Sequence, residues 1–422
     1  MRPLEGVKVV DLTTFLAAPT TCRVLGEWGA DVIKVEAPKG DPGRTQGAVF
    51  GMKYEDDENL GFDMSNMNKR FTTVNLKSEK GKEVMDKLLA EADVFVTNTR
   101  TKALVKLGYD YDTLKVKYPK LIFAQILGYG ENGPEKDTAG FDVTCYMARG
   151  GVFGTTVNKG SDPMIPTNGF GDFQASMCLA SGICAALFNR NRTGAGDKVT
   201  VSLHHAAIFM LSTGVVSAQY GNSYPKDRRE VICPTNNVFR TADDKLIAVC
   251  APEYDRTYDK IMRLVGREDL VGNEKYNNCD RLNETHLNHE VVDILDEAIR
   301  KFTRKEILDI FKSNDIPCEG CYEPVDMYDD EQVWANQIMT KLDCPSGKRN
   351  IATAPVKFAS NADPDYIVTR AQGSDTIEVM KELGYTDAQI EEYLAEGAVV
   401  GKTALRKECR IRLHNDARPI CS

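Results

Sequence analysis

The first third of the chain alternates short β-branched runs with helical patterns at crossover spacing, a rhythm that suits a parallel sheet covered by helices on both faces. Val7 to Leu12 and Asp31 to Glu36 read as strands, with a short helix opening near Pro19 between them. Phe71 to Leu76 reads as the next strand. A helix with Ser78 as its N-cap follows through Val84, Leu88 and Leu89, and Asp93 to Thr97 and Leu121 to Leu127 complete the set. Crossovers of this length predict an α/β fold with a Rossmann-like doubly wound parallel sheet.

Further along, Met177, Leu179, Ala180, Ile183, Cys184 and Leu187 fall on one helix from about Gly171 to Thr193, ended by Thr193-Gly194-Ala195-Gly196. Asp197 to Leu203 reads as another strand. With 422 residues the chain exceeds one core. The expected division is a large domain over 1–220, a linker, and a smaller α+β domain over 226–325 carrying a hairpin from Val238 to Cys250. Residues 326–400 are expected to link back and return to the large domain, and 401–422 to form a poorly ordered basic tail.

A net charge of −9 disfavours nucleic acid or an anionic membrane as partner. The opening Met1-Arg2-Pro3-Leu4-Glu5-Gly6 has no apolar signal region, and no run of eighteen apolar residues occurs, so a cytoplasmic location is expected. Twelve cysteines scattered from Cys22 to Cys421 read as thiols, and Cys318 with Cys321 lacks the second pair that zinc requires.

Gly128-Tyr129-Gly130-Glu131-Asn132-Gly133 matches the dinucleotide fingerprint, which works only if a helix begins at its third glycine. Pro134 to Gly140 instead reads as a loop, so no nicotinamide site is expected. His204, His205, His286, His289 and His414 are too dispersed for a triad, and no metal site is expected at His286 and His289. Asp172 differs from these, because Asn168-Gly169-Phe170-Gly171-Asp172 sets a carboxylate directly before a long, small and apolar helix. Glycines there admit close approach of a backbone or ligand, and a helix N-terminus favours negative charge. Local pattern alone reads sooner as an N-cap aspartate.

Several segments in fixed order carry a resemblance. Leu4 to Leu12, Ala17-Ala18-Pro19, Gly29 to Glu36, Asn68-Lys69-Arg70, Asn75-Leu76-Lys77, Glu91-Ala92-Asp93 with Asn98, Leu127 to Gly133, Gly171-Asp172, Thr376 to Met380 and Leu383 to Thr386 are similar to class III CoA-transferases. Thr101 to Val105, Gly140-Phe141-Asp142 and Ala148 to Gly151 resemble the branch acting on 2-hydroxy acids, the phenyllactate and 2-hydroxyisocaproate type.

The resemblance implies that Asp172 is a covalent nucleophile passing through acyl anhydride and CoA thioester intermediates. With an ordinary pKa of roughly 3.9 it would stand ionised without an adjacent base. Coenzyme A, as substrate, would be held by Val74, Asn75 and Lys77, by Asn98, Thr99 and Arg100, by Lys106, and by Ala139, Gly140 and Phe141. Leu16, Gly169 and Gly171 would bound the substrate pocket, and backbone N–H groups from Gly169 to Asp172 are candidate oxyanion donors. An interlocked homodimer is also implied.

Departures from the family narrow the expectation. Leu16 replaces a glutamine of formyl-CoA transferase, and the glycine-rich loop of that enzyme has no counterpart between Lys226 and Phe239, which points to a larger, less polar acid. Ala37 stands where the family often has arginine. The related racemases place histidine where this chain has Phe141, leaving α-proton exchange without its second base. Transfer to another acid, racemisation and non-catalytic acyl-CoA binding are the alternatives.

Overall fold

Strands rich in β-branched and aromatic residues, buried on both faces, build the centre of the molecule. Phe95 and Phe123 pack edge to face between Val94–Thr97 and Ile122–Leu127, two strands buried along their whole length, as parallel strands covered by helices must be. The computed structural model describes residues 2–361 and 364–401, and the backbone of 410–411.

Six parallel strands, β1 (Lys8–Leu12), β2 (Asp31–Glu36), β3 (Arg70–Val74), β4 (Val94–Thr97), β5 (Ile122–Leu127) and β6 (Lys198–Ser202), stand in the order β3-β2-β1-β4-β5-β6. This is the doubly wound order expected from the sequence, with reversal between β1 and β4. A short strand, Val399–Val400, closes the β3 edge antiparallel.

The helix Phe170–Thr193 is long and apolar enough by composition alone to cross a membrane. Its Ala175, Ser176, Leu179, Ala180 and Ile183 are nonetheless buried. Ser176 hydroxyl donates to the carbonyl of Ala17 at 2.5 Å, tying this helix to the helix Ala17–Glu27.

The chain divides into two units, one of residues 1–152, 165–212 and 331–422, the other of 153–164 and 213–330. Relative to the expected large domain over 1–220, the strips 153–164 and 213–220 fall in the second unit, and residues 331–401 fall in the first. The second unit carries the expected hairpin, Asn236–Arg240 with Leu246–Cys250, plus a third strand, Cys318–Gly320. Its core gathers Phe239, Ile247, Tyr258, Val291, Leu295 and Phe311. Most of the expected basic tail lies outside the described residues. Cys318 and Cys321 are free thiols.

Beneath β1 and β2 lies a fully buried charge cluster. Lys69 Nζ meets Asp11 at 2.8 Å and also reaches the carbonyls of Pro19 and Ser65 and the Asn66 amide oxygen. Lys34 lies 4.0 Å from Asp11 and 2.9 Å from Asp41, again with no solvent exposure. Removing one partner of such a set strands the others in a low dielectric. Lys69→Met should therefore lower the free energy of unfolding by about 3–5 kcal/mol, read as a fall in the urea midpoint. A midpoint equal to that of the parent chain would show the cluster to be energetically idle.

Candidate active site

Loops leaving the carboxyl ends of β1, β4 and β5 meet where strand order reverses, the crevice in which doubly wound sheets receive ligands. Thr14 to Ala17, Asn98 to Arg100, Ile126 to Gly128 and Thr138 to Phe141 line a cleft of about 420 Å³ there, together with Asp172 and Leu203.

Asp172 is the third residue of the helix Phe170–Thr193 and half-buried, while Gly169, at φ +85°, is the N-cap. The reading of Asp172 as N-cap is thus replaced by another arrangement. The helix end is capped from a distant segment by Asp142, whose carboxylate accepts from Gly169 N–H at 3.1 Å and from Gly171 N–H at 2.9 Å. Both glycines make room for the protein itself. A Cβ on Gly169 would stand 2.8 Å from the Leu16 side chain, and one on Gly171 would fall 2.2 Å from the Tyr146 ring and 2.5 Å from Asp142. Leu16 lines the cleft, whereas Gly169 and Gly171 do not line it and act through this packing.

The cap changes the electrostatics. Burial, and after it the charge of Asp142, push the Asp172 carboxyl up to about 7. Burial also raises Asp142, against the backbone hydrogen bonds that act the other way. The expectation of an ordinary carboxylate kept ionised by the helix terminus is corrected accordingly, because Asp142 already occupies that terminus. The same hydrogen bonds engage the Gly169 and Gly171 N–H groups that had been candidate oxyanion donors.

Asp142 was missed by sequence reasoning as a functional residue. It stood in the quoted run Gly140-Phe141-Asp142, but nothing in spacing pairs position 142 with 169 and 171. It opens a π-type turn, Asp142–Ala148, a form that recurs near functional sites.

The structure brings the residues assigned to coenzyme A into three adjoining spaces. Asn98, Thr99, Arg100, Ala139, Gly140 and Phe141 line the cleft with Asp172. Arg100 and Lys106, with Lys102, line a recess of about 310 Å³ that shares Arg100 and Ala103 with the cleft. Val74, Asn75 and Lys77 line a recess of about 440 Å³ with Ala37 to Asp41, sharing Thr14 and Thr99 with the cleft. Pro38, Leu76 and Leu107 give this recess an apolar wall, with Lys39 beside Ala37.

Three assigned side chains already have hydrogen-bond partners in the protein, and one of them, Asn75, accepts from Lys77 N–H at 3.1 Å and donates to the Gly397 carbonyl at 3.4 Å. Asn98 accepts from Thr14 N–H at 3.0 Å and donates to its carbonyl at 2.7 Å, and Arg100 donates to the Asp137 carbonyl at 3.2 Å. The Gly128 to Gly133 run leads into a loop, with no helix at Gly133. His204 packs edge-on to Tyr129, and among the described residues no three metal-ligating side chains are gathered.

A doubly wound sheet with a carboxylate at its switch point and cations beside it is an arrangement suited to an anionic ligand. The chain belongs to CoA-transferase family III, whose model matches residues 4–366, and it is a CoA-transferase. It is 46% identical over 392 residues, 92% of this chain and 95% of the relative, to the cinnamoyl-CoA:phenyllactate CoA-transferase of Clostridium sporogenes. It is 42% identical over 393 residues, 92% and 98% of the two chains, to the (R)-2-hydroxy-4-methylpentanoate CoA-transferase of Clostridioides difficile. The crystal structure of a CAIB/BAIF family protein from Brucella suis matches with a TM-score of 0.76 and 27% identity, covering 90% of this chain and 99% of that one.

A carboxyl raised in the folded state favours folding below its unfolded pKa of roughly 4 and loses that contribution as pH rises through the folded value. With the folded value at about 7, the loss is complete near pH 8. Asp172→Asn, neutral throughout, should melt higher than the parent at pH 8, with the gain shrinking toward zero near pH 4. A gain independent of pH, measured by thermal melts at both values, would contradict the raised carboxyl.

Proposed function

We propose that this CoA-transferase carries coenzyme A from an acyl-CoA to a 2-hydroxy acid with an aryl or branched substituent, with Asp172 as the covalent nucleophile. The observation that carries this reading is the position of Asp172 in one cleft with Asn98 to Arg100 and Ala139 to Phe141, opening on cation-lined space. The two relatives named for phenyllactate and for 2-hydroxy-4-methylpentanoate support the acid class.

The ionised Asp172 oxygen attacks the donor thioester carbonyl, forming an aspartyl-acyl anhydride as the C–S bond breaks and CoA thiolate leaves. The thiolate attacks the aspartyl carbonyl, giving an aspartyl-CoA thioester and releasing the donor acid. The acceptor carboxylate then attacks this thioester, and a second anhydride forms as thiolate leaves again. Attack of thiolate on the acceptor carbonyl yields the new acyl-CoA and restores Asp172. Each intermediate is an activated acyl, so the thioester energy is retained.

Arg100, Lys102 and Lys106 would meet phosphates, the arginine as a fork and the lysines as point charges, and the apolar recess beside Lys39 and Lys77 would take the adenine end. Free thiols such as Cys22, Cys145, Cys318 and Cys321 support a reducing, cytoplasmic setting.

Mixing enzyme with an acyl-CoA donor should leave a hydroxylamine-sensitive adduct on the peptide containing Asp172. Its formation rate should rise about tenfold per pH unit up to pH about 7, where the carboxyl titrates, and then level. Asp172→Ala should abolish the adduct and reduce transfer by at least about a thousandfold. Full transfer by that variant would end the assignment.

We also propose a homodimer. The exposed apolar side chains Phe170, Phe188, Ile208 and Phe209 on the helices Phe170–Thr193 and Leu203–Met210 support it. Sedimentation should give twice the chain mass, and a single-chain mass at micromolar concentration would refute it.

A further inference from the structure

Phe15 stands at φ +63°, a left-handed conformation that bulky side chains avoid. Side chains from other segments hold the loop in this shape. Lys34 Nζ donates to the Thr13 carbonyl at 2.9 Å, Asn98 brackets both backbone groups of Thr14, and Asp41 accepts from Phe15 N–H at 3.1 Å. Lys34 and Asp41 are buried and paired with each other, so the loop is fastened to the core. Backbone held in a disfavoured region at a ligand cleft points to a use for the side chain it presents.

That side chain is a ring. It meets Phe141 edge-on, with centroids 5.7 Å apart and planes at 88°, and Phe141 is itself 57% exposed. Both rings line the cleft with Asp172, and neither lines the basic recess or the recess of Ala37 to Lys77. Leu16, next in sequence, packs on Gly169 at the start of the helix that carries Asp172. An acid whose carboxyl carbon is exchanged at Asp172 enters the cleft that this wall lines.

We infer that Phe15 is a specificity-determining residue, the ring that favours acids with an aromatic or branched substituent over short ones. The inference rests on the CoA-transfer reading given above and assigns its selectivity to one side chain. An edge-to-face partner takes at most one face of the Phe15 ring. Neither ring offers a hydrogen bond to a small polar acid.

The test compares kcat/KM for phenyllactate and for lactate of the same hand, with one acyl-CoA donor, in the parent enzyme, Phe15→Ala and Phe15→Gly. Glycine adopts positive φ without strain, so the second variant keeps the loop path while removing the ring. The phenyllactate-to-lactate ratio should fall about 10- to 100-fold in both variants. An unchanged ratio, whether both acids slow equally or only the KM for the donor rises, overturns the inference, as does a ratio kept by Phe15→Gly and lost by Phe15→Ala. A parent enzyme that transfers CoA to neither these nor any other acid instead removes the CoA-transfer reading itself.

Discussion

The capping of the helix Phe170–Thr193 by Asp142 governs the rest of the site. A helix begins with N–H groups that have no intrahelical acceptor, and their partial positive charge would ordinarily stabilise a nearby anion. Here the carboxylate of Asp142 accepts from Gly169 and Gly171, so the terminus is satisfied from another part of the chain. Gly171 is needed because a side chain would collide with Asp142 and Tyr146, and Gly169 because the turn is left-handed and pressed by Leu16. Asp172 therefore faces the cleft without the helix terminus to itself and beside a second carboxylate.

The doubly wound sheet makes this arrangement addressable. Because β1 and β4 lie at the reversal of strand order, their loops diverge and leave a crevice, and the loop after β5 closes its third side. The loop after β1 is fastened below by Lys34 and Asp41, which belong to a buried charge set joined through Asp11 to Lys69. Core electrostatics thus reach the cleft wall through hydrogen bonds to Thr13 and Phe15.

Much of the architecture was legible because period and composition are local. Runs of β-branched residues marked the six parallel strands within one or two positions, and the apolar spacing after Gly171 marked the long helix. Asp172 stood out through its glycines and the resemblance of its surroundings. The role of Asp142 was hidden, since capping from 27 or 29 positions away is a tertiary event that no spacing rule encodes. The charge state of Asp172 was misread for the same reason, as burial and a neighbouring charge belong to the fold. The strip 153–164, which joins the second unit, carries no pattern that reveals its neighbours.

A carboxyl raised to about 7 bears directly on the proposed chemistry. Basicity and nucleophilicity rise together, so the ionised form attacks a thioester more readily than an ordinary aspartate, while about half the population remains ionised at neutral pH. In the proposed mechanism, acylation would also remove the charge of Asp172, and with it the repulsion between that side chain and Asp142. The acceptor carboxylate would then enter a cleft holding one fewer anion, and the unfavourable pairing of two acids in the empty site would become part of the driving force for loading it.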